Sequence, residues 1–146
     1  MAAPAGKLCW MVSEALKKVF IVDDSPIVRE RLVSMISELP DVQIIGQAGV
    51  PFDAIAAIEE LKPDFVVLDI SLPGGNGMQV LESIKSKKPA PQVIMLTNFA
   101  FEAYRRRCVQ LGADYFFDKS NEFEKVMEVL RDESGKDPQH RVAFRD

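Results

Sequence analysis

Runs of apolar, β-branched and aromatic residues alternate along this chain with segments of helical period, and the alternation repeats five times. Val19-Phe20-Ile21-Val22, Phe65-Val66-Val67-Leu68 and Val93-Ile94-Met95-Leu96 are continuous apolar runs, the pattern of strands covered on both faces of a parallel sheet. They predict three central strands. Val42 to Ala48, interrupted by Gln43, Gly46 and Gln47, and the short Tyr115-Phe116-Phe117 run read as edge strands.

Five helices are predicted between and after them. Val28, Leu32, Met35, Ile36 and Leu39 form one apolar stripe, opened by a capping Ser25 and by Pro26 at the first helical position. A second helix follows Pro51, turns Ala54, Ile58 and Leu61 inward and stops near Lys62-Pro63, because proline disfavours helix before it. A third carries Met78, Leu81 and Ile84. The fourth presents Phe101, Tyr104, Cys108 and Leu111 inward and ends at Gly112. The fifth presents Phe123, Val126, Met127 and Leu130, with Asn121 and Glu124 in the capping-box arrangement. Strand-helix alternation with short connections predicts an α/β fold, a doubly wound parallel sheet with right-handed crossovers. The periodic part spans residues 18–132. Residues 1–17 read as an N-terminal extension or leader, and residues 133–146 as a polar tail too short for a second domain.

Composition narrows the class. Of 146 residues, 47% are apolar and 27% charged, which is ordinary for a globular chain and excludes a disordered or fibrous one. The 22 acidic residues outnumber the 18 basic ones, the wrong balance for non-specific binding to nucleic acid and a suitable one for a magnesium site. No apolar stretch approaches the roughly 20 residues that cross a bilayer, so no membrane segment is expected. Cys9 and Cys108 do not make a disulfide framework, which leaves a reducing cytoplasm as the expected compartment. Cys108 reads as a buried, inert thiol. His140, the single histidine, lies in the tail without a helical hairpin around it and is not a phosphodonor.

The chemistry gathers at the strand ends. In a doubly wound sheet, ligands bind outside the carboxyl ends of the strands. There the first strand ends in Asp23-Asp24, the third in Asp69 and the fourth in Thr97, while the fifth leads through Asp118 to Lys119. Carboxylate oxygens hold Mg²⁺, which takes one or two carboxylates and keeps several waters. An aspartate can attack phosphorus as a nucleophile, and phosphoryl transfer needs in-line positioning plus charge compensation, which a metal, a lysine and a hydroxyl supply. One Asp after a strand is as readily a turn former or helix cap, but the coincidence of all these ends on one rim is not explained that way.

The residues Val22-Asp23-Asp24-Ser25, Leu68-Asp69, Pro73, Gly77, Leu96-Thr97, Gly112-Ala113-Asp114 and Lys119 together resemble the receiver domain of two-component response regulators, from Lys18 to Leu130. The resemblance implies a flavodoxin-like (βα)5 fold with strand order 2-1-3-4-5. It implies Asp69 as acceptor of a phosphoryl group from a sensor histidine kinase or histidine phosphotransfer protein. Asp24, Asp69 and the Ser71 carbonyl would hold Mg²⁺, with Asp23 acting mostly through water, and Lys119 would pair with the phosphoryl oxygens. Thr97 and Phe116 would form the switch that changes a protein-binding surface. Such a receiver catalyses only its own phosphorylation and dephosphorylation. Its output would pass to a downstream protein, with a homodimer through the fourth and fifth helices as one route, and without direct contact to nucleic acid or membrane.

Three positions depart from the common family pattern. Ser120 stands where a proline often follows the lysine, Asn98 is larger than the usual Ala or Gly after the threonine, and Phe116 lacks a hydroxyl. They bear on phosphate lifetime rather than on phosphorylation. Arg105-Arg106-Arg107 fits a solvated helix face or a partner patch. The rival class is a Mg²⁺-dependent aspartate-nucleophile phosphohydrolase of the haloacid-dehalogenase type. It needs its two aspartates separated by one residue after the first strand, whereas Asp23 and Asp24 are adjacent.

Overall fold

The structure, a computed structural model, describes residues 16–132. The expected tail, Cys9, His140 and all of the expected extension except Leu16 and Lys17 lie outside the described residues. Five parallel strands form the sheet: β1 (Lys17–Val22), β2 (Val42–Ala48), β3 (Phe65–Leu68), β4 (Gln92–Thr97) and β5 (Tyr115–Asp118). Their order is β2-β1-β3-β4-β5, the doubly wound order expected from the sequence, with both predicted edges at the edges. A two-residue hairpin, Ser71–Leu72 against Gly75–Asn76, follows β3. The helices are α1 (Pro26–Ile36), α2 (Pro51–Leu61), α3 (Gly77–Lys85), α4 (Glu102–Gln110) and α5 (Lys125–Arg131).

Strand alternation divides the core in two. Val19, Ile21, Phe65, Val67, Ile94, Leu96, Tyr115 and Phe117 face α1 and α5 and pack on Leu32, Ile36, Val126 and Leu130. Phe20, Val22, Val66, Leu68, Val93, Met95 and Phe116 face the opposite layer and pack on Ala54 and Ile58 of α2, Val80 and Leu81 of α3 and Cys108 of α4. Burial on both faces is why the central runs carry no polar alternation.

The helix ends follow local chemistry. Ser25 Oγ accepts the Val28 N–H at 3.2 Å ahead of Pro26. Lys62, before Pro63, closes α2 in the left-handed region at φ 50°. Gly112, at φ 106°, ends α4: its N–H donates to the Val109 carbonyl and the Ala113 N–H to the Cys108 carbonyl, a Schellman closure that wants glycine.

Three helices depart from expectation. Phe101 precedes α4 in extended backbone and is 60% exposed, and Tyr104 is 37% exposed, so Cys108 alone of that helix is buried. The stripe fails because α4 is short and largely polar, and its aromatics pack on one another instead: Phe101 lies 6.4 Å from Phe99 and 5.9 Å from Tyr104, centroid to centroid. The predicted Asn121 cap is also absent. Turns carry the chain from Asp118 to α5, where Glu122 Oε1 accepts the Asp118 N–H and the helix begins only at Lys125. Leu61, expected inward, is 41% exposed in the last turn of α2.

Candidate functional site

Parallel strands that start in register deliver their last residues to one rim. The ladder runs past β1 and β3, where the Asp23 N–H donates to the Ala48 carbonyl at 3.1 Å and the Asp69 N–H to the Val22 carbonyl at 3.1 Å. These bonds fix both aspartates. Asp23 is 2% and Asp69 5% exposed, while Asp24 faces solvent. Carboxylate oxygens of Asp23, Asp24 and Asp69 lie within 4.8 Å of one another.

Lys119 offsets that charge. Its Nζ lies 2.7 Å from Asp23 Oδ2 and 2.9 Å from Asp69 Oδ2, and its N–H is tied to the Thr97 carbonyl at 2.9 Å. The second oxygen of each carboxylate takes a backbone N–H: Ser25 donates to Asp23 Oδ1 at 2.9 Å and Ser71 to Asp69 Oδ1 at 3.3 Å. Burial pushes the Asp23 carboxyl above its ordinary value, against the lowering effect of the hydrogen bonds from Lys119 and Ser25. Burial disfavours the Lys119 ammonium too, but its hydrogen bonds to Asp23 and Asp69 outweigh this and hold it above its ordinary value.

Thr97, fully buried at the end of β4, accepts the Phe99 N–H on Oγ1 at 3.1 Å. Phe116 is 7% exposed on β5, paired in register with Met95 of β4. Asp23, Asp24, Asp69, Ser71 and Lys119 are thus one contiguous cluster, with Thr97 joined to it through Lys119. Phe116 belongs to the core layer against α2, α3 and α4.

Three supporting residues were not singled out from sequence. Arg29, one turn into α1, donates from its guanidinium to the Asp23 carbonyl oxygen and from Nε to Gln47 Oε1 at 3.0 Å. Its signal was a basic residue on the first helical turn after the paired aspartates. Asn76 and Gln79 form a complete capping box at the start of α3, Asn76 Oδ1 accepting the Gln79 N–H and Gln79 Oε1 the Asn76 N–H. That pattern is an Asx residue followed three positions later by Gln. Gly77 lies between them. A Cβ there would collide with the Asp69 carbonyl oxygen, so glycine lets the loop close on the aspartate.

An all-oxygen donor set fits Mg²⁺. Two oxygens sharing that ion stand at most about 4.2 Å apart, so the carboxylates need only a small contraction to bind it together. The cluster's excess of buried negative charge over one lysine supplies the attraction.

The fold is flavodoxin-like, and the chain belongs to the response regulator receiver domain family, whose model matches residues 19–131. A protein-glutamate methylesterase/protein-glutamine glutaminase of Methanospirillum hungatei is 34% identical over 114 residues, 77% of this chain and 33% of that protein. The response regulator domain of Thermotoga maritima CheB is 32% identical with a TM-score of 0.71, covering 79% of this chain and 90% of that one. CheY of Borrelia burgdorferi, solved with CheX, BeF3 and Mg²⁺, is 27% identical with a TM-score of 0.69 over 78% of this chain and 89% of that one. The chain spans 33%, 24% and 53% of three curated relatives it matches. Receiver domains act in two-component signalling, where phosphorylation on aspartate with Mg²⁺ is typical. Among the described residues no helix is long and apolar enough to cross a membrane.

Proposed function

We propose that Asp69 accepts a phosphoryl group from a phosphohistidine of a sensor kinase or phosphotransfer protein. The observation that carries this is the Lys119 ammonium bridging Asp23 and Asp69 at 2.7 and 2.9 Å on a rim with a third carboxylate. A carboxylate oxygen of Asp69 attacks phosphorus in line; the O–P bond forms as the P–N bond breaks, and the imidazole leaves with the electron pair of that bond. Asp24, Asp69 and the Ser71 carbonyl would hold Mg²⁺, and Asp23 would act through water. When bound, the ion would supply positive charge beside the transferring oxygens. Lys119 follows the phosphoryl group, exchanging its contact with Asp69 Oδ2 for a phosphoryl oxygen.

Thr97 then turns its hydroxyl toward the phosphate, which requires giving up the Phe99 N–H, and Phe116 moves into the space behind it. That links the modification to the loop leading into α4. The surface so changed contains α4 and α5, and a homodimer through these helices is the output we assign. The cytoplasm is the compartment we assign.

Incubation with Mg²⁺ and acetyl phosphate, followed by intact mass, tests the reading. One phosphoryl group should add, and none in Asp69→Asn or with chelator present. Unmodified wild-type protein overturns the proposal, as does turnover of small phosphate esters, which marks a hydrolase.

A further inference from the structure

A cavity of about 580 Å³ opens at the amino ends of β3 and β4, between α2 and α3, at the opposite end of the sheet from the aspartates. Its apolar lining comes from Ile55 and Ile58 of α2, Phe65 of β3 and Ile84 of α3, and Ala90, half-buried on the connection into β4, lines one side. The rim carries both signs of charge, Lys62, Lys87 and Lys88 with Glu59 and Asp64, and Lys87 pairs with Glu59. Such a rim selects no charged ligand, so the occupant that fits is an apolar one.

The chain itself supplies one. Leu16, the first described residue, and Lys17, the first of β1, both lie on the cavity wall, so the segment before them enters the fold at this cavity. That segment contains Leu8-Cys9-Trp10-Met11-Val12, five apolar residues in succession without a charge. An extended chain spans at most about 3.6 Å per residue, which keeps Val12 within about 14 Å of Leu16 and Trp10 within about 22 Å. A tether this short sets an effective concentration on the order of millimolar at the cavity, at which modest apolar contacts suffice for docking. Trp10 brings the largest contact, since a tryptophan buries on the order of 200 Å².

We propose that Leu8–Val12 docks back into this cavity, with Trp10 seated between Ile55 and Ile84, as a strap that ties β1 to α2 and α3. The contact lies apart from the acidic cluster and needs no phosphoryl chemistry.

Trp10 is the single tryptophan, so the emission of the full chain reports its surroundings directly. Native protein should emit at shorter wavelength than protein in urea and resist quenching by acrylamide. Trp10→Ser should shift amide resonances centred on Ile55, Ser83 and Ile84 and raise the unfolding equilibrium constant about tenfold, the scale of burying one large apolar side chain. Ala90→Glu places a carboxylate on the apolar wall from a loop and should return Trp10 emission to the solvent-exposed wavelength while thermal unfolding stays cooperative. Removing residues 133–146 should leave the emission unchanged. Solvent-like emission in the native protein overturns the proposal, as does a Trp10→Ser shift map centred elsewhere, or emission that Ala90→Glu leaves shielded. Shielding lost on dilution, or on removing residues 133–146, also overturns it, because the cover over Trp10 would then belong to a second copy or to the tail.

Discussion

Lys119 and Asp69, 50 positions apart in sequence, form a 2.9 Å ion pair in which the lysine side chain is 10% and the aspartate 6% exposed. Because the same ammonium also holds Asp23, removing it leaves two buried carboxylates without a cation. Lys119→Met is therefore expected to cost on the order of 3 kcal/mol in chelator, the scale for breaking a buried pair from one side. Added Mg²⁺ should recover much of that loss, since it supplies the missing positive charge. Urea unfolding with and without MgCl₂ checks both, and a midpoint unchanged by the substitution would show that the contact does not hold the rim together.

The shifts at this cluster have the same sign and act in different pH ranges. Lys119 is held above the ordinary lysine value of 10.5, so its contribution is complete below that value and disappears as pH rises through the higher folded value. Asp23 is held above 3.8, so the folded state takes up its proton first, and ionisation at neutral pH opposes folding. In chelator, wild type should gain stability relative to Asp23→Asn as the pH falls from neutral toward about 4. Denaturant titrations across that range measure the difference, and one that is flat or of opposite slope contradicts the assignment.

Gly77 is constrained by contact rather than by φ. The Cβ of Gly77→Ala would collide with backbone, the Asp69 carbonyl oxygen, and not with the flexible end of a side chain. Relief requires moving the loop that carries Asp69. A loss of at least about 2 kcal/mol is expected, together with slower labelling by acetyl phosphate in whatever protein remains folded. Wild-type melting and wild-type labelling would mean that the loop yields without strain.

Burial pushes the Cys108 thiol up to about 11. With Cys9 replaced by serine, Cys108 should resist a thiol-specific reagent at neutral pH until denaturant is added, because the thiolate is the reacting form. Rapid modification of the native protein would mean that α4 opens readily.

The sheet and the acidic rim were legible because both follow from short-range pattern. Continuous apolar runs mark strands buried on both faces, and once those strands are parallel, the residues after Val22 and Leu68 must meet. The α4 region was not legible, for a physical reason. Phe101, Tyr104 and Cys108 have the spacing of an inward stripe, but α4 begins at Glu102 and Cys108 is its one buried residue, so hydrophobicity misassigned two rings that pack on each other at the surface. Asn121 misled similarly, since the cap pattern there is local while Glu122 bonds back to Asp118. The close approach of Gly77 to Asp69 depends on how the hairpin folds over β3, which no spacing encodes.

The aromatic surface that the pattern misplaced yields the last test. Phe101 is 60% exposed, so Phe101→Ser should change folding stability by no more than about 0.5 kcal/mol. If α4 forms part of the homodimer, the same residue sits where an exposed ring can anchor an interface, and its truncation should weaken association roughly tenfold or more. Light scattering of wild type and variant with Mg²⁺ and beryllofluoride separates the two effects. A dimer in wild type and a monomer in an equally stable variant supports the assigned surface. Dimers in both place the contact elsewhere, and monomers in both remove dimerisation as the output.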